Sequence, residues 1–103
     1  MSAAVTSQLA DRGQGRCVLS GALTLPNLPW LWKELETSGL LAGAREVDLS
    51  SVQEADSAGL ALLMAWKAYC LKQGGDLAFH AVPQKLLALA KLTGAETALA
   101  AAG

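Results

Sequence analysis

The sequence predicts an α/β fold: a mixed sheet of about four strands with three main helices, in the order β-β-α-β-α-β-α. Three observations lead there. Two short stretches of β-branched and apolar residues near the start flank a polar turn with two glycines. A strand-helix-strand pattern then fills residues 46–82. Apolar residues at helical spacing, closed by glycines, fill the remaining intervals. At 103 residues the chain sits near the usual domain size, so one domain over 1–103 is expected.

Residues 5–9 and 16–20 read as the first two strands. The polar turn between them, Asp11-Arg12-Gly13-Gln14-Gly15, predicts an antiparallel hairpin with a loop longer than two residues. Gly21-Ala22-Leu23-Thr24 then leaves the sheet. Helix starts lie within Thr24–Asn27, where Pro26 and Pro29 are tolerated only in a first turn. Leu28, Leu31 and Leu35 recur at helical spacing, and Gly39 predicts a stop near Ser38. Trp30 and Trp32 are two apart, so both cannot share that leucine face. At least one is a candidate for exposure, lying across its own helices or anchoring a partner.

Glu46-Val47-Asp48-Leu49-Ser50 alternates polar and apolar, a strand with Val47 and Leu49 on the covered face. A helix is expected from Ser57 to Gln73, stopped by Gly74-Gly75. Leu77, Phe79 and Ala81 alternate with Ala78, His80 and Val82 in a further strand. Within 46–82 this strand-helix-strand unit requires a parallel pair. Pro83 opens the last helix, which runs to Thr93 with Gly94 as its stop. The Ala-rich tail from Ala98 to Gly103 is expected to fray.

Composition narrows the function. Apolar residues make up 52% and charged residues 17%, so part of the surface is expected to be apolar and to meet a partner. The net charge is -1 and no Lys/Arg run appears, which argues against a nucleic-acid partner. The start has no basic region followed by an apolar one, and the longest apolar-plus-Gly run, Ala58 to Trp66, is too short to span a bilayer. The chain is therefore expected in the cytoplasm. Cys17 and Cys70 make neither a disulfide framework nor a zinc quartet and read as packing residues.

The informative stretch is Val47-Asp48-Leu49-Ser50-Ser51-Val52-Gln53-Glu54-Ala55-Asp56-Ser57-Ala58-Gly59-Leu60. A strand ends, a polar loop follows, and Asp56 stands where a helix N-cap belongs. Ser57 falls at the first helical position. Gly59 is a poor helix residue, about 1 kcal/mol worse than alanine, so another backbone or side chain is expected to approach it closely. Beyond it, Leu62, Leu63, Trp66 and Cys70 cluster on one side of the helix. Leu60, Met64, Ala68 and Leu71 cluster on another, with Lys67 between. A helix apolar nearly all round is covered on more than one side, by its own neighbours or by another chain.

The strand followed by Asp56-Ser57-Ala58-Gly59-Leu60 resembles the signature of STAS domains, the family of sulfate transporters and anti-sigma factor antagonists. Chain length and element order match that family too. The form Val-Asp-Leu-Ser…Asp-Ser-Ala-Gly-Leu-Ala, with a compact Leu-rich helix after it, most resembles the STAS subunit of the bacterial Mla phospholipid-trafficking ABC transporter. That resemblance implies a non-enzymatic accessory subunit that binds the transporter's ATPase and, through it, a membrane permease. It would lie in the cytoplasm, peripheral to the inner membrane. It also implies that Ser57 lies at the contact with the ATPase, and with the apolar helix and its close-approach glycine the expected partner-binding set is Asp56, Ser57, Ala58, Gly59, Leu60, Met64 and Lys67. Family members that switch partners carry a phosphorylatable Ser or Thr directly before the glycine. Here that place holds Ala58. The alternative is an anti-sigma factor antagonist that captures an anti-sigma kinase.

Catalytic signatures are missing. His80 has no local Cys or His to share a metal, and no nucleophile elbow, P-loop or dinucleotide fingerprint occurs. Glu46 and Asp48 share a strand face, an arrangement common among solvated strand residues. No cofactor and no catalysis are expected.

Overall fold

The hairpin that opens the fold is tighter than its sequence suggests. In the computed structural model, which describes residues 7–99, β1 spans Gln8–Gly13 and β2 spans Arg16–Leu23. Only Gln14 and Gly15 lie between them, both at positive φ, 57° and 79°. Two left-handed residues are what a two-residue hairpin turn needs to match the strand twist. Asp11, Arg12 and Gly13, expected in the loop, instead extend β1 through an irregularity between Asp11 and Gly13. The first strand is thus shifted from the expected 5–9. Residues 5 and 6 of that expectation lie outside the described residues.

The chain leaves β2 through a 3-10 turn, Leu25–Asn27, into α1, Leu28–Ser38. Leu31 and Leu35 are fully buried on its inner face. Gly39, at φ 81°, stops α1 and starts a short helix that the sequence pattern did not announce, α2, Leu40–Gly43. Then come β3 (Glu46–Ala55), α3 (Ser57–Lys72), β4 (Ala78–His80), α4 (Gln84–Thr93) and α5 (Glu96–Leu99). The expected frayed tail overlaps α5 at Ala98 and Leu99, and its remainder lies outside the described residues.

The strands form one mixed sheet in the order β1-β2-β3-β4. β1 pairs antiparallel with β2, β2 parallel with β3, and β3 parallel with β4. β3 is twice as long as its alternating segment. Its register against β2 slips between Val18 and Ser20 and again between Gly21 and Ala22. Extra residues on β3 break the period of two, so the pattern after Ser50 no longer reads as a strand. β4 is shorter than expected. Ala81 takes a positive φ of 55° and is exposed, so the strand ends at His80.

One face of the sheet turns Cys17, Leu19, Val47, Leu49 and Phe79 into the core, where they meet Leu31, Leu35, Leu63, Trp66 and Leu86 from the helices. The residues alternating with them, Arg16, Val18, Glu46, Asp48 and His80, stay exposed or half-buried. The helices therefore lie on one side. Trp66 is fully buried, and its Nε1 donates to the Leu40 carbonyl at 3.0 Å, which ties α3 to α2.

Candidate functional site

The junction of β3 and α3 is built by one carboxylate. Asp56 caps α3: its Oδ1 accepts from the Gly59 N–H at 2.8 Å, and its Oδ2 accepts from the Leu25 N–H at 3.0 Å. The Asp56 N–H in turn donates to the Leu23 carbonyl at 3.2 Å. Burial pushes the Asp56 carboxyl up, but N–H donation from Leu25, Gly59 and Ala58, with the Lys85 charge, outweighs it and holds the group below the usual carboxylate value. One side chain thus satisfies a free N–H in the first turn of the helix and fixes the 3-10 turn against it.

Gly59 has its close neighbour inside the chain. A Cβ there would overlap the Leu23 carbonyl oxygen. The approach read from the sequence is thus α3 lying against the end of β2, and Gly59 is buried. Leu60 is buried too and belongs to the core. Lys67 is also an internal brace. Its Nζ donates to Asp76 Oδ1 at 2.9 Å and to the Leu77 carbonyl at 2.7 Å, and its side chain is 12% exposed. That bond, with the Leu77 N–H, holds the Asp76 carboxyl below its usual value. Of the seven candidates, Gly59, Leu60 and Lys67 support the surface from beneath, and Asp56 shapes its edge. Ser57 is exposed, and Ala58 and Met64 are half-buried.

The exposed side of α3 is a stripe. Ser57, Ala61, Met64, Ala68 and Leu71 recur at alternating steps of four and three residues, and all but Met64 are exposed. Ala65 is exposed beside them, and Tyr69 (37%) and Leu71 (51%) stand out at the far end. No charge interrupts the stripe before Lys72. Seven-residue spacing of this kind is the seam along which two helices pack at a shallow crossing angle. Small residues let the second helix come close.

Apolar side chains are also exposed on the turn that Asp56 ties to the start of α3. Leu25, whose N–H is held by Asp56, is 63% exposed. Pro26, Asn27 and Trp30 line a depression of about 350 Å³ with Ser7, and Trp30 is 44% exposed. Trp32 packs half-buried against the core, so Trp30 is the exposed member of the pair. Sequence reasoning missed Ala61, Ala65 and Leu25. The four-three spacing of small residues was the available signal for the first two. Leu25 had none.

Both cysteines are buried. Burial, then the nearby Asp11 and Cys70, pushes the Cys17 thiol up to about 12, and burial raises Cys70 as well. Neither is a thiolate nucleophile at neutral pH. No group of three His, Cys, Asp or Glu able to hold a metal occurs among the described residues.

Comparison with known families places this geometry. The family model described as "Mlab, STAS domain" matches residues 7–100. The chain belongs to the STAS domain family, in its MlaB-like branch. The solved structure of the anti-sigma factor antagonist SpoIIAA in its unphosphorylated form has a TM-score of 0.70 at 12% identity. The match covers 91% of this chain and 85% of that one. At that identity the likeness shows the fold. No curated protein matches the chain. STAS domains are in general non-enzymatic protein-binding domains. In this one, the Asp-Ser-Ala-Gly-Leu segment is the corner where β2, β3, α3 and the 3-10 turn meet. No helix among the described residues is long and apolar enough to cross a membrane.

Proposed function

We propose that this STAS domain is a non-enzymatic accessory subunit that docks on the ATPase of an ABC transporter for phospholipid trafficking. It holds a helix of that ATPase in its working position. The charge-free stripe from Ser57 to Leu71 carries the reading, with Leu25 exposed on the turn that Asp56 ties to its start. The MlaB-like match supports the choice of partner. A small-residue seam on a rigid, well-capped helix suits a partner helix better than a flat or extended segment. The subunit would sit in the cytoplasm, peripheral to the inner membrane through its partner. Because such a subunit binds the folded, assembled complex, it stabilises that complex by linkage.

The second reading, an anti-sigma factor antagonist, is favoured by the fold shared with SpoIIAA. Ala58, standing directly before Gly59, removes the hydroxyl that a phosphate switch of that family would use.

The test compares the candidate ATPase-permease complex with the chain absent, present, or present as Ala65→Glu. ATP turnover and melting temperature are read together. Both should rise with the wild-type chain and stay at baseline with the variant. Equal values in all three conditions would sink the transporter reading. Capture of an anti-sigma kinase, lost in Ala65→Glu, would support the second reading.

A further inference from the structure

The sheet face turned away from the helices carries a separate feature. A shallow depression of about 570 Å³ opens there, and every residue lining it belongs to a strand. Its polar wall is Arg12, Arg16, Glu46, Asp48 and His80, and Val18 forms a half-buried apolar floor. The register places Arg16 beside Glu46, and Asp48 between Val18 and His80.

The charges in this depression are unequally engaged. Glu46 Oε1 lies 3.0 Å from His80 Nε2. Asp48 Oδ1 accepts from the Ser50 N–H at 2.8 Å, and that bond leads the causes holding its carboxyl below the usual value, with His80 and Arg12 adding. The guanidinium groups of Arg12 and Arg16 have no ion pair or hydrogen bond among the described residues. Glu46 is the register neighbour of Arg16, yet its carboxylate is turned to His80. Asp48 keeps its negative charge near Arg12, and the charged groups left with no ion pair or hydrogen bond among the described residues are the two guanidinium groups.

We infer that this open face binds a phosphate-bearing ligand, held between the forks of Arg12 and Arg16 with its carbon portion over Val18. A guanidinium matches phosphate oxygens in a bidentate way. A phosphomonoester carries close to two negative charges at neutral pH and so matches a pair of arginines, where a single carboxylate would match one. The depression also falls within the volume range of small-molecule sites, about 300–1,000 Å³. His80 is a positioning residue. It holds Glu46 away from Arg16, and without the imidazole Glu46 would fall on its register neighbour and compete with the ligand. The feature lies across the sheet from α3 and stands apart from the docking reading.

The experiment uses the full chain at low salt, because exposed charges are screened. Glycerol 3-phosphate is titrated while backbone amide shifts are followed by NMR. In parallel, sedimentation is measured with phosphatidylcholine vesicles, with and without phosphatidic acid. Saturable shifts confined to the Arg12–Val18 hairpin, Glu46–Asp48 and His80 are expected. Arg12→Ala and Arg16→Ala should each weaken binding about tenfold, the loss of one charged hydrogen-bonding group. Arg16→Lys should lose less, because it keeps the charge without the fork. His80→Ala should weaken binding several-fold, and adding Glu46→Gln to it should restore binding; a merely structural role for His80 would not be rescued in this way. Lys91→Ala is the control and should change nothing. Saturation by the soluble ester points to a free phosphate compound, and binding only to phosphatidic acid vesicles points to a lipid headgroup. No saturable binding of either probe, or binding indifferent to both arginine variants, overturns the inference.

Discussion

The two sides of α3 are nearly equal in hydropathy and opposite in burial. The inner side presents Leu60, Leu63, Trp66 and Cys70, all buried, with Gly59 set against the Leu23 carbonyl. The outer side presents Ala61, Ala65 and Ala68 with Met64 and Leu71. Side-chain size separates them. Bulk fills the space over the sheet, and alanine leaves a smooth track on which another helix can settle. A core side punishes loss of volume or added atoms, whereas an open side responds only when something must dock on it. Substitutions on the two sides should therefore act on different observables.

The largest effect should come from Gly59→Ala. The added methyl would collide with backbone that cannot move aside, so about 3 kcal/mol or more of stability should be lost. Chemical denaturation measures it. A variant as stable as the parent would mean that α3 does not rest on the end of β2.

Trp66→Phe should cost about 2 kcal/mol, because it removes buried surface and takes away one of the two donors to the Leu40 carbonyl, leaving only the Ala44 N–H. The same melt reads it, and partner binding should survive at temperatures where the variant remains folded.

Asp56→Ala probes the corner between the two sides and should cost about 1 kcal/mol at neutral pH. The folded Asp56 carboxyl sits below its usual value, so its contribution is complete above the unfolded value of about 3.9 and is lost as pH falls through the folded value. The gap between parent and variant should therefore close as acid is added. A gap that is constant from neutral to strongly acidic pH would assign the effect to packing.

The smallest stability changes belong to the outer side. Ser57→Asp and Ala61→Glu should each alter the melt by less than about 0.5 kcal/mol. Both should nonetheless abolish co-purification with the partner, since a charge would be buried unpaired in the seam. If either binds normally, the outer stripe is simply a solvated alanine surface.

Much of this was legible in the residues. The order of elements, the parallel pair around α3, the buried Val47 and Leu49 and the Asp56 cap follow from short-range rules. Periodicity, turn chemistry and capping act within a few residues. The STAS signature was readable for the same reason, because its residues are adjacent in the chain. What failed did so where distant backbone intervened. The second half of β3 was hidden because slips against β2 break its alternation. The hairpin loop was overestimated because pairing carried Asp11 to Gly13 into β1.

The candidate site divides along the same line. The sequence by itself determined that α3 is apolar on nearly every side, that its start is capped by Asp56, and that Gly59 needs a close neighbour. Only the tertiary structure decided that this neighbour is Leu23, and that Lys67 is spent on Asp76 and the Leu77 carbonyl. It likewise decided that Trp30 rather than Trp32 faces outward, and that Arg12 and Arg16 share a depression with Glu46, Asp48 and His80. The physical reason is that burial and pairing depend on which surfaces meet in space. A residue's chemistry is local to the chain, whereas its exposure is set by elements many residues away.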